Sequence, residues 1–210
     1  MTLRLNGSTS GYTEIDSPAV GANNTLVLPT GNGSAGNILG TDGAGNLSWV
    51  NGRMVLATAQ NSTSGTAIDF TGIPSWVKRV TVMFSGVSGS GLSPFAIQLG
   101  TNSGIDATST YAGSASFGGP GATDYNSTSF RVSASGAQAA ATLYSGVVSI
   151  LLTGSNTWCE SGTLGPHSAN AASYSGGSKT LSGTLDRVRI TTVNGTDTFD
   201  GGNINLLLEG

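Results

Sequence analysis

Few side chains in this sequence can do chemistry. There is one histidine, His167, in GTLGPHSAN, and one cysteine, Cys159, in NTWCESG. Serine hydrolysis needs a histidine base. His167 is the sole candidate, and it lies in a loop flanked by Gly165 and Pro166 with no G-x-S-x-G elsewhere. One histidine and one cysteine cannot supply the four ligands of a structural zinc site within a chain. Eleven carboxylates leave open an acid pair of the glycosidase kind only if distant strands bring two together. Residues 197–203, DTFDGGN, resemble a calcium loop loosely, but the regular ligand spacing and the closing Glu are missing. They read better as a turn between two strands. Residues 31–36, GNGSAG, match G-x-G-x-x-G, which binds pyrophosphate when the glycines open a helix. Here Gly40, Gly43 and Gly45 follow at once, leaving no room for that helix, so the segment reads as a turn. No catalytic residue, cofactor or metal is expected. Trp49, Trp76 and Trp158 have faces that stack on sugars, yet large aromatics more often pack. Packing is expected for Trp49 and Trp158. Trp76 follows Pro74 at a strand entrance and is the candidate for binding a ligand such as a sugar.

Only 9% of the residues are charged, against roughly 25% in ordinary soluble domains. The surface must therefore be made largely of hydroxyl and amide groups. Eight Lys and Arg against a net charge of −3 disfavour nucleic acid, which needs a basic face. The lone cysteine excludes an internal disulfide framework. MTLRLNGS lacks the pattern of a secretory signal. The longest dense apolar run, GVVSILL at 146–152, is too short to span a bilayer as a helix. Synthesis in a cytoplasm, with no membrane insertion, is the expectation.

The elements that would position these residues are strands. Gly (33 residues), Ser, Thr and Asn are poor helix formers and suit short strands with many turns. Residues 1–52 hold apolar runs of two to five residues between turns. Such runs cannot bury enough area to offset chain ordering, so this segment must pack either on the rest of the chain or on copies of itself, and the second is the expectation. From residue 53 the runs lengthen, at 54–60, 77–85, 95–99, 125–134, 143–153, 156–164, 185–193 and 204–208. Val80, Val82 and Phe84 share a face, as do Phe95, Ile97 and Leu99, and Val188 and Ile190. Residues 143–153 are apolar on both faces and read as a central strand. The one helix-like window, AQAAATLY at 137–144, is short. Eight or so strands with glycine-rich turns predict a β-sandwich of jelly-roll type. The domains are then 1–52, a segment of short strands, and 53–210, a sandwich.

Three segments in order, LRLNGSTSGYTEI (3–15), NNTLVLP (23–29) and LGTDGAGNLSW (39–49), resemble tail-fibre and other virion proteins of tailed phages, notably those of marine cyanobacteria. DFTGIP (69–74) and LDRVRITTVNGTDTF (185–199) are similar to C-terminal domains of the same proteins. The resemblance implies a homotrimeric, intertwined β-fibre with no enzymatic activity, located on the virion. With the motif starting at Thr2 of 210 residues, it implies a short fibre, knob or decoration protein. Residues 1–52 would be its attachment and trimerisation segment, docking to other virion proteins of tail or capsid, with Leu39, Leu47 and Trp49 in an interchain seam. Its low-charge head, residues 53–210, would touch host surface polysaccharide. The alternatives are a purely structural capsid decoration or head-fibre protein and, further off, a glycan-degrading enzyme.

Overall fold

The computed structural model describes residues 3–6, 8–15, 23, 25–34, 36–52, 54–118, 123–134, 140–167 and 172–210. These residues form an all-β protein of several antiparallel sheets, with no helix among them. The chain divides into two compact units, 1–52 and 53–210.

The first unit is two hairpins. β1 (Leu3–Asn6) pairs with β2 (Tyr12–Ile15), and the Arg4 guanidinium lies 3.9 Å over the Tyr12 ring. β3 (Asn37–Thr41) pairs with β4 (Leu47–Asn51), setting Leu39 opposite Trp49 and Ile38 opposite Val50. The turn between them is tied by Asp42, whose carboxylate accepts the Ala44 and Asn46 amides at 2.8 and 3.1 Å. Residues 26–28, an apolar run in the sequence, form no strand. Only Val27 makes a bridge, to Asn46.

The second unit is a sandwich of two sheets. The remaining strands are β5 (Met54–Leu56), β6 (Gln60–Asn61), β7 (Ala67–Thr71), β8 (Arg79–Gly89), β9 (Phe95–Thr101), β10 (Gly104–Ile105), β11 (Ala112–Phe117), β12 (Thr123–Tyr125), β13 (Phe130–Arg131), β14 (Tyr144–Gly154), β15 (Thr157–Pro166), β16 (Ser173–Thr180), β17 (Arg187–Thr192) and β18 (Phe199–Glu209). The large sheet runs β12-β11-β16-β15-β14-β8-β18-β5, with β6 also on β18. The small sheet runs β10-β9-β17-β7, with β13 also on β9. Between them Val80, Val82, Phe84, Phe95, Ile97, Leu99, Val188 and Ile190 are buried, on the faces the alternation predicts. Phe95 of the small sheet stacks on Phe199 at 5.7 Å and meets Tyr144 edge-on at 5.5 Å, joining the sheets.

Three expectations need correction. Residues 143–153 do form an inner strand, β14, between β8 and β15. Only its Tyr144, Val148 and Ile150 face is buried, while Val147 and Leu151 are 50% and 42% exposed. Residues 125–134 are not one strand. Asn126 accepts hydrogen bonds from the Thr128 amide and hydroxyl, and this side-chain turn sends β12 to one sheet and β13 to the other. Residues 54–60 break into β5 and the start of β6, both on β18. In the window 137–144, residues 137–139 lie outside the described residues, 140–141 form a turn and Tyr144 opens β14. The polar strands β11 and β16 have no apolar alternation and were not expected.

Candidate functional site

The hairpin β3–β4 carries Leu39, Leu47 and Trp49 on one face. The Trp49 indole N–H donates to the Gly31 carbonyl at 2.6 Å. Gly33, at φ 68°, lies beneath the ring so closely that a Cβ there would sit 2.7 Å from it. Gly31 and Gly33 therefore serve as a seat for the tryptophan. The residues after Gly36 form β3, where a pyrophosphate site would need a helix. Even so seated, Trp49 is 40% and Leu39 47% exposed, and Leu47 is half-buried. Across the unit Leu3, Leu5, Tyr12, Ile15, Leu26, Val27, Leu28, Ile38 and Val50 are exposed as well.

Trp76 lies in the turn before β8, closed by the Val77 amide to the Pro74 carbonyl. Its ring is half-buried, packs on the core, and meets Gly210, where a Cβ would be 2.6 Å from the ring. Trp158 is buried in the core and its indole nitrogen has no hydrogen-bond partner among the described residues. Cys159, its neighbour, is half-buried and free.

His167 is tied where sequence reading left an exposed loop. Its Nε2 lies 2.9 Å from the Ser145 hydroxyl, which also accepts the Gly86 amide at 3.0 Å. No carboxylate among the described residues bonds to the imidazole, so the contact lacks the orienting third member of a triad. It straps the end of β15 to β14 and β8. The expected turn at 197–203 is only partly one: Asp197 and Thr198 end the turn after β17, and residues 199–203 already belong to β18. Asp197 accepts the Asn194 amide group and the Ser93 backbone amide, and these bonds hold its carboxyl below the usual range. No group of three His, Cys, Asp or Glu among the described residues could hold a metal.

Two charged groups missed by sequence reading point into the sandwich. Glu160 on β15 is 4% exposed and accepts the Ser175 hydroxyl at 2.6 Å. Burial pushes its carboxyl up to about 7, with the serine opposing. Lys179 on β16 is 1% exposed. It pairs with Asp106 at 2.8 Å, donates to Thr108 and Thr110, and lies 4.6 Å from the Tyr111 ring centre. Desolvation works against the Asp106 carboxylate, but Lys179 and Thr108 outweigh it and hold its pKa low. No motif announces either group; each is an isolated charge in a Ser/Gly-rich strand.

Beside this network lie two open clefts of about 540 and 370 Å³ that share Thr101, Ser103 and Ser182. Asn102 and Asp186 line the larger, and the Arg187 guanidinium reaches both the Asp186 carboxylate and the Asn102 carbonyl. The clefts are lined by hydroxyls, the Asn102 amide, the Asp106 and Asp186 carboxylates and the apolar Ile73, Ile105 and Leu185.

No family model matches this chain, and no curated protein sequence does. Among solved structures, the crystal structure of the protein of unknown function SO2946 from Shewanella oneidensis MR-1 is similar at 12% identity. The match covers 75% of this chain and 76% of that one at a TM-score of 0.25, a level of likeness that carries no argument. No helix among the described residues is long and apolar enough to cross a membrane.

Proposed function

We propose that this is a non-enzymatic structural protein of a phage virion, a short homotrimeric appendage whose sandwich head contacts the host surface. The observation that carries the assembly half is the first unit. Eleven of its large apolar side chains among the described residues stand exposed in the single chain. At about 25 cal/mol per Å² of apolar surface, leaving them in water forfeits several kcal/mol. Two hairpins of four or five residues a strand cannot cover them, and copies of the same segment can. The jelly-roll expectation for the head draws support from the chain crossing between sheets at β7–β8, β8–β9, β16–β17 and β17–β18, although β14–β16 run on as a meander.

The adhesive half rests on the two clefts. Hydroxyl, amide and carboxylate groups can exchange hydrogen bonds with sugar hydroxyls. Three copies per appendage raise avidity without a strong single site. Light scattering on the full chain is expected to give three times 20.9 kDa; a stable monomer at micromolar concentration would sink the assembly. Asp186→Asn with Ser182→Ala is expected to reduce binding of the purified protein to host cells or glycan arrays. If the parent protein binds neither, the role is structural attachment to capsid or tail alone. Release of reducing sugar ends would point to the enzyme alternative.

A further inference from the structure

The outward face of the large sheet changes character across its width. Strand register places its side chains in three rows. The first runs Met54, Glu209, Arg79, Leu151, Cys159, Ser178. The second runs Leu56, Leu207, Thr81, Ser149, Ser161, Gly176. The third runs Asn205, Met83, Val147, Thr163, Tyr174. On β5, β18, β8 and β14 these rows hold Met54, Leu56, Leu207, Met83, Val147 and Leu151 among Thr81, Ser149, Asn205 and the Arg79–Glu209 pair; on β15 and β16 they hold hydroxyls, Gly176 and Cys159, with Tyr174 the one large ring. Met54, Leu56, Val147 and Leu151 are 63%, 62%, 50% and 42% exposed. The only charges in these rows on the apolar side are Arg79 and Glu209, which pair with each other at 3.3 Å. That side is thus electrically neutral, and a copy of itself meets no repulsion there.

We infer that this half-face, from β5 to β14, packs against the neighbouring copies of this chain in the assembled appendage. The inference rests on the proposed assembly through residues 1–52. One residue, Arg53, separates that unit from β5. If copies join through the first unit, two peptide links allow β5 to stray only about 7 Å from where the joined segment ends. The apolar side of the sheet is the side that begins at β5. Met54, Leu56, Leu207, Met83, Val147 and Leu151 together expose roughly 400–500 Å², the size of the largest apolar patch on a typical monomer, which is often functional. That falls short of the ~800 Å² per partner of a free-standing interface. Such a face associates only when another contact holds the copies together at high effective concentration.

Methionine oxidation reads the coverage of this face directly. Purified full chain is weighed by light scattering, treated briefly with hydrogen peroxide, and oxidation of Met54 is followed by mass spectrometry. The comparison is Leu56→Glu, which puts a charge beside Met54 at an exposed position. The expected result is a multimer for both, with Met54 oxidised about tenfold more slowly in the parent than in the variant. Equal rates in two multimers would overturn this inference and leave assembly through residues 1–52 standing. A monomeric parent would overturn both. Circular dichroism checks that Leu56→Glu folds; if it does not, Val147→Glu on β14 makes the same comparison.

Discussion

At the scale of single residues, the sandwich carries two interior charges with opposite economies. Glu160 has an ordinary pKa of 4.5 in the unfolded chain and about 7 when folded. Between those values the native state holds a proton that the unfolded state has released. Stability therefore falls as pH rises from about 4.5 to 7 and is level above, by on the order of 3 kcal/mol in all. Urea unfolding of Glu160→Gln is expected to lose most of that slope and to show higher stability than the parent at pH 8, with little difference at pH 4.5. The Lys179–Asp106 pair is asymmetric, since the lysine side chain is 1% and the aspartate 22% exposed. Asp106→Asn strands a buried ammonium and is expected to cost roughly 3 kcal/mol. Lys179→Met removes the same ion pair but leaves the charge that reaches water, so its loss in thermal unfolding should be smaller. Equal losses would show that Lys179 relaxes to solvent. Neither charge was legible in the sequence. A lysine in SYSGGSKT looks like any surface lysine until the fold shows which side of β16 it is on.

At the scale of elements, alternation of large apolar groups identified β8, β9 and β17 because each presents one dry and one wet face. It missed β11 and β16, where Ser, Gly and Ala predominate and the larger Phe117, Tyr174 and Lys179 do not alternate. Their pairing is close because side chains are absent. A Cβ on Gly177 would lie 2.8 Å from the Ala112 carbonyl and 3.1 Å from the Phe130 ring, whereas one on Gly176 finds nothing nearer than 3.8 Å. Gly177→Val is expected to destabilise by about 1–3 kcal/mol. Gly176→Val, facing outward on the same strand, should be neutral or slightly stabilising through β propensity. Matching unfolding midpoints for the two would contradict the assigned faces. The split of residues 125–134 had a visible cue in Asn126-Ser127-Thr128, a side-chain turn that the apolar pattern around Phe130 and Val132 outweighed. The double-sided apolar run in β14 was visible too, but it predicts burial only if something covers each face, and within one chain the outer face is left bare.

At the scale of the whole molecule, a chain with few charges and many exposed apolar groups should assemble by burial of surface. Its assembled mass is expected to be unchanged from low salt to 1 M sodium chloride, where the screening length is about 3 Å. Dissociation at high salt, seen by light scattering, would mean that ion pairs hold the copies together. The sequence by itself determined the all-β class, because Gly, Ser, Thr and Asn in such numbers disfavour helices wherever they fall. It also determined the buried face of each strongly alternating strand, since the period of a strand is a local property. Only the tertiary structure decided which strands are neighbours, that His167 reaches Ser145, that Glu160 and Lys179 point inward, and that the apolar rows of the large sheet gather beside β5. Those facts depend on contacts between residues tens of positions apart, and the side chain of each carries no local mark of its partner.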